Sequence, residues 1–161
     1  MSNLIEFTCE LQDVVRASIE TLAHKCKGKD QCTDPACLYQ KVQRHKDPRS
    51  NPYLDLCYTS TMALFKLMEK HLPVSNEEFI DRVKVYRKDG PTGRRNSKGP
   101  IKHFWLELDG HVFDPSYSQY VIGQTALPTY EGGELRRFHK EPMRRPHMVL
   151  PLLNYCCLSM S

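Results

Sequence analysis

Cys57, His103 and Asp114 are the residues of this 161-residue chain whose types and order could form a nucleophilic triad. In such a triad a thiolate attacks a carbonyl carbon and an imidazole manages the proton. A carboxylate fixes the imidazole tautomer and stabilises its cation. His103 stands in His103-Phe104-Trp105-Leu106-Glu107 and Asp114 in Asp114-Pro115-Ser116, with Asp109-Gly110 between them. Asp-Gly readily supplies the positive φ angles of a type I′ turn, so the stretch reads as a β-hairpin with Leu108 facing His111. In that register Trp105 faces Asp114. His103 lies one diagonal step away on the same face, close enough for side chains to touch. Phe104, Leu106, Leu108 and Phe113 take the opposite face, an apolar set fit for a core. One face is expected to pack and the other to display chemistry, with Trp105 walling off water. His111 falls beside the turn, away from Asp114, and is set aside as a rival base.

These groups need a helix and a sheet to hold them. Cys57 precedes Met62-Ala63-Leu64-Phe65-Lys66-Leu67-Met68, which has the apolar spacing and strong helix formers of an amphipathic helix. Asp55 is the expected N-cap, which puts Cys57 in the first turn beside unpaired N–H groups and the positive end of the helix dipole. Upstream, Leu11, Val14, Val15, Ile19 and Leu22 predict a helix over 8–24, with Thr8 as its cap. Residues 25–52 read as irregular apart from a short helix near 38–45. A strand is expected at 82–87. The apolar runs at 148–150 and 152–153 predict short strands or a terminal helix against the sheet. The fold class is α+β. One domain is expected over 1–161: an N-terminal helix and cysteine-bearing polar segment to 50, a catalytic core over 51–120, and a basic tail over 121–161.

Cysteine at a helix start, then His103-Phe104-Trp105-Leu106-Glu107 on a strand, then Asp114-Pro115-Ser116, resembles the transglutaminase-like branch of the papain-like cysteine hydrolases. The run Asp114-Pro115-Ser116-Tyr117-Ser118-Gln119-Tyr120 is similar to the Asp-Pro-Thr-x-x-Gln-aromatic ending of small, often phage-encoded proteins of that type. The resemblance covers roughly 51–120. The surroundings of Cys57 depart from it, having no neighbouring tryptophan or glycine. It implies a papain-like core with the nucleophile helix packed on a small antiparallel sheet. It also implies acyl transfer through a thioester on an amide or peptide. Asn51 would be a second oxyanion donor beside the Cys57 N–H, and Gln119 a cleft residue. Whether water or an amine resolves the thioester, making a hydrolase or a transferase, is left open. No cofactor is implied.

Composition bounds these readings. Apolar residues make up 40% and charged residues 26%, ordinary for a globular protein. No run approaches the roughly eighteen apolar residues of a membrane span. The first residues lack a signal-peptide pattern, and the cysteine count of seven is odd, so a reducing cytoplasm is the expected location. Cys26, Cys32 and Cys37, with His24 or His45, could form a structural zinc site, although the tight paired-cysteine spacing is missing. Arg82, Lys84, Arg87, Lys88, Arg94, Arg95, Lys98 and Lys102 form one basic cluster, and Arg136, Arg137, Lys140, Arg144 and Arg145 another. The first could rim the cleft, with the loop 89–93 as a lid, and favour acidic peptides or phosphorylated substrates. A protein or peptide substrate is therefore expected. A nucleic-acid partner is not, because no reader motif is present. Cys156-Cys157 stands too far from the chain end for a prenylation box and reads as packing. A non-catalytic protein-binding module on the same fold and a zinc-stabilised interaction protein are the alternatives from other classes.

Overall fold

The computed structural model describes residues 3–26, 32–34, 37–39, 47–90, 95–96, 99–140 and 143–161. Helix α1 (Leu4–Lys25) is capped by Asn3, whose side chain accepts from the Ile5 N–H. It therefore starts one turn before the expected cap, Thr8. Thr8 lies inside the helix, buried, with its hydroxyl donating back to the Leu4 carbonyl at 2.8 Å. Helix α2 (Cys57–His71) follows a tight turn over 51–56. α3 (Asn76–Arg82) is closed by a reciprocal Ser75–Glu78 capping box, a Ser-x-x-Glu signature at the start of a short amphipathic run.

Strand β1 (Val83–Asp89) begins where α3 ends. A two-residue ribbon follows, β2 (Arg95–Asn96) with β3 (Gly99–Pro100), and then β4 (Lys102–Leu108) and β5 (His111–Phe113). After α4 (Ser118–Ile122) come β6 (Glu134–Arg136), a 3-10 turn at Phe138–Lys140, and α5 (Pro146–Ser159). β5, β4, β1 and β6 form one antiparallel sheet in that order. The molecule is thus α+β: α1, α2 and α5 pack together, and α2 lies against β4. Of the alternatives for the apolar runs at 148–150 and 152–153, the terminal helix is realised, as α5, and it packs on α1 and α2. The short helix expected near 38–45 falls largely on residues outside those described, and 38–39 are in a turn.

The hairpin register matches the sequence reading, with Leu108 opposite His111, Glu107 opposite Val112 and Leu106 opposite Phe113. Asp109 and Gly110 have φ of 51° and 81°, the pair of left-handed conformations that lets two residues reverse a twisted ladder. Leu106, Leu108 and Phe113 join Val83 and Val85 in the core beneath the helices. His111 is exposed.

One expectation is overturned here. The face carrying His103, Trp105 and Asp114 is not open: all three are buried. The chain after β5 folds back over it, bringing Tyr120 and Tyr130 against His103 and Trp105. Gly133 permits this closeness, since a Cβ there would lie 2.6 Å from the Trp105 ring.

Candidate active site

Cys57 is the first residue of α2. The cap is Leu56, not Asp55, and its side chain makes no capping hydrogen bond. Asp55 instead takes φ 60°, a left-handed conformation uncommon outside glycine, and this bend steers the chain into the helix start. The early amides, Cys57 N–H among them, keep the unpaired, positively polarised character of a helix N-terminus. The half-buried Cys57 thiol lies 3.5 Å from the Lys102 carbonyl, at the entry of the strand that carries His103.

The His103 Nε2 is 2.7 Å from Asp114 Oδ2, and its Nδ1 is 2.8 Å from the Tyr120 hydroxyl. Asp114 is fully engaged: Oδ2 also accepts from the Tyr130 hydroxyl at 2.8 Å, and Oδ1 accepts from the N–H and hydroxyl of Ser116, both at 3.2 Å. Burial by itself disfavours the imidazolium. Hydrogen bonding and charge from Asp114 and Cys57 outweigh that and carry His103 up to about 9. Burial first, then the nearby Cys57 and Asp114 charges, raises the Tyr120 hydroxyl, and burial with Asp114 raises Tyr130. Both phenols stay protonated and can donate. Trp105 stacks at 6.0 Å on His103 and at 5.8 Å on Tyr86, shielding the pair from solvent.

The structure brings Cys57, His103, Asp114 and Trp105 together, and gives the other two expected cleft residues different work. Asn51 Nδ2 donates to the Gln119 carbonyl at 3.1 Å, so this amide ties the turn before α2 to α4 instead of awaiting an oxyanion. Gln119 is buried with its Nε2 donating to Ser116 Oγ at 3.2 Å, which places it behind the carboxylate rather than in the cleft. Tyr120 and Tyr130 are site residues that sequence reasoning missed. Tyr120 stood in the quoted motif. Tyr130 had no local signal, because its contact with Asp114 spans 16 positions.

A cleft of about 360 Å³ opens at Cys57. Arg87 and Lys102 from the first basic cluster and Arg136, Arg144 and Arg145 from the second line it together, over Tyr58, Phe104 and Phe138. Pairing of β6 with β1 sets Arg136 opposite Val85 and so joins the two clusters. Arg87 and Arg136 both reach Glu134, at 3.1 and 3.3 Å, and Lys102 pairs with Asp89. Of the expected lid, 91–93 lies outside the described residues.

Away from this cleft, Cys26, Cys32 and Cys37 also converge, their sulfurs all within 4.8 Å of one another. His24 is exposed and is not part of that group, and His45 lies outside the described residues. Cys156 is buried in α5 and Cys157 is half-buried, in keeping with packing. Among the described residues no helix is long and apolar enough to cross a membrane. Comparison of the chain with protein-family models, curated proteins and solved structures found no match.

Proposed function

We propose that the protein catalyses cysteine-dependent acyl transfer on an amide or peptide, on a papain-like arrangement of nucleophile helix and sheet. The observation that carries this reading is the buried His103–Asp114 pair at 2.7 Å, with Cys57 close by at the first turn of α2. In this reading His103 takes the proton of Cys57 as the thiolate forms. The thiolate adds to the carbonyl carbon, and the oxyanion faces the Cys57 N–H at the helix start, a donor worth about 3 kcal/mol in comparable sites. Collapse of the adduct breaks the C–N bond as His103 gives its proton to the departing amine, leaving a thioester. Water or a second amine then attacks the thioester, returns its proton through His103 and releases Cys57. Asp114 holds the ring throughout. The arginine-lined cleft favours an acyl donor bearing carboxylates or phosphate groups near the scissile amide.

A second reading, a binding module on the same fold, is favoured by one observation. The Tyr120 hydroxyl occupies His103 Nδ1, the nitrogen not held by Asp114.

Iodoacetamide separates the two. At neutral pH Cys57 is expected to alkylate at least about tenfold faster than the exposed Cys9, as read by peptide mass mapping. His103→Ala and the bulkier His103→Gln should each abolish that advantage. Labelling of Cys57 no faster than Cys9 in the unaltered protein would sink the catalytic reading.

A further inference from the structure

We infer that Cys26, Cys32 and Cys37 form a structural site for a thiophilic divalent cation, with zinc the best fit, separate from the cleft and independent of the acyl-transfer reading. Cys26 ends α1, its N–H closing on the Leu22 and Ala23 carbonyls. Its sulfur is buried, those of Cys32 and Cys37 are half-buried, and all three lie within 4.8 Å of one another. The Cys26 and Cys37 sulfurs are 3.8 Å apart. That is far beyond a disulfide bond of about 2.05 Å. It matches the edge, about 3.8 Å, of a tetrahedron of sulfurs each about 2.3 Å from zinc. Three mutually adjacent thiols also fit a cation better than a disulfide, which would use two and strand the third.

The place of the cluster says what it would do. Just beyond Cys37, the buried Tyr39 donates its hydroxyl toward the Ile19 carbonyl at 3.1 Å and the Pro52 carbonyl at 2.9 Å. Pro52 belongs to the turn that delivers Cys57 to its helix start. A cation gripped at 26, 32 and 37 fixes the end of α1, the Tyr39 anchor and, through Pro52, the approach to α2. Each thiol gives up its proton on binding, so three thiolates and one zinc(II) ion carry a single net negative charge.

The test uses the full chain, stripped with a chelator under a phosphine reductant and titrated with cobalt(II) alone. One equivalent should produce a thiolate-to-cobalt charge-transfer band and the visible bands of a tetrahedral site. Zinc should erase both while withdrawing three thiols from reaction with a disulfide reagent, and X-ray absorption of the zinc form should show at least three sulfur ligands. Zinc should raise Tm by about 5 °C or more. Cys32→Ser should lose the band and the Tm shift, whereas Cys9→Ser should keep both. Circular dichroism of the metal-free Cys32→Ser protein, expected to match the metal-free parent, separates lost ligation from misfolding. Absence of the charge-transfer band, binding unchanged by Cys32→Ser, fewer than three sulfurs at zinc, or a Cys26–Cys37 disulfide persisting in reductant would each overturn the assignment.

Discussion

The two faces of β4 are equally buried and differently built. Leu106 and Leu108, 0% and 1% exposed, lie among apolar side chains under α2. His103 and Trp105, 1% and 0% exposed, lie under the returning chain among two tyrosines and a carboxylate. On the first face burial is favourable in itself, at about 25 cal/mol per Å² of apolar surface removed from water. On the second it disfavours every charge, and the face holds only because each oxygen of Asp114 and each nitrogen of His103 has a partner. Depth inside the protein therefore does not tell scaffold from site. The hydrogen-bonded His103–Asp114 pair does, beside a Trp105 Nε1 that is buried without a partner among the described residues.

Removing a member of that network should cost most. His103→Ala leaves Asp114 buried without its cation and should destabilise by roughly 3–5 kcal/mol in denaturant unfolding, with loss of the Cys57 labelling advantage. Destabilisation below about 1 kcal/mol would mean that the two faces do not differ as described. Leu106→Ala should cost nearly as much, about 3 kcal/mol from lost burial and the cavity left, yet leave Cys57 selectively labelled wherever the variant is folded. Loss of selectivity in folded Leu106→Ala would erase the distinction between the faces.

The histidine also gives stability a pH signature. His103 is raised from its ordinary 6.5 to about 9, so its stabilisation is fully present below 6.5 and is lost as pH rises through 9. The effect is on the order of 3 kcal/mol. Unfolding of the parent and of His103→Gln should accordingly converge between pH 6.5 and 10, and a constant gap would contradict the assignment. The smallest expected effect is that of Tyr130→Phe. It removes one of the donors to Asp114 Oδ2 and should cost about 1 kcal/mol, with His103 still paired. A loss as large as that of His103→Ala would make Tyr130 a principal support of the pair rather than an auxiliary one.

What was legible in the sequence shares a property: it is local or periodic. The hairpin register follows from a two-residue alternation and an Asp-Gly turn, and Cys57 at a helix start follows from the spacing of Met62 through Met68. The Ser75–Glu78 box is equally local, but the seven-residue helix it opens is too short to show a clear period. Other features depend on how distant segments meet. The cover over His103 requires the chain to return across β4, and the shared basic cleft requires β6 to pair with β1. Asn51 resembled an oxyanion donor by its offset from Cys57 alone. Its real partner, the Gln119 carbonyl, is 68 positions away and invisible to any spacing argument.

The Asp109-Gly110 turn has a consequence for how this gene can change. Two residues close the hairpin with no slack, so one codon inserted or deleted there would shift β5 by a position against β4. Because side chains alternate, that slip would exchange Phe113 with Asp114 between faces, burying a carboxylate among leucines and leaving His103 without its carboxylate. A point mutation in the hairpin alters one contact, whereas a single-codon slip dismantles both layers at once. Length at positions 109 and 110 is thus expected to be more strictly held than the identity of most residues around it, as saturation insertion and substitution libraries of the hairpin would register.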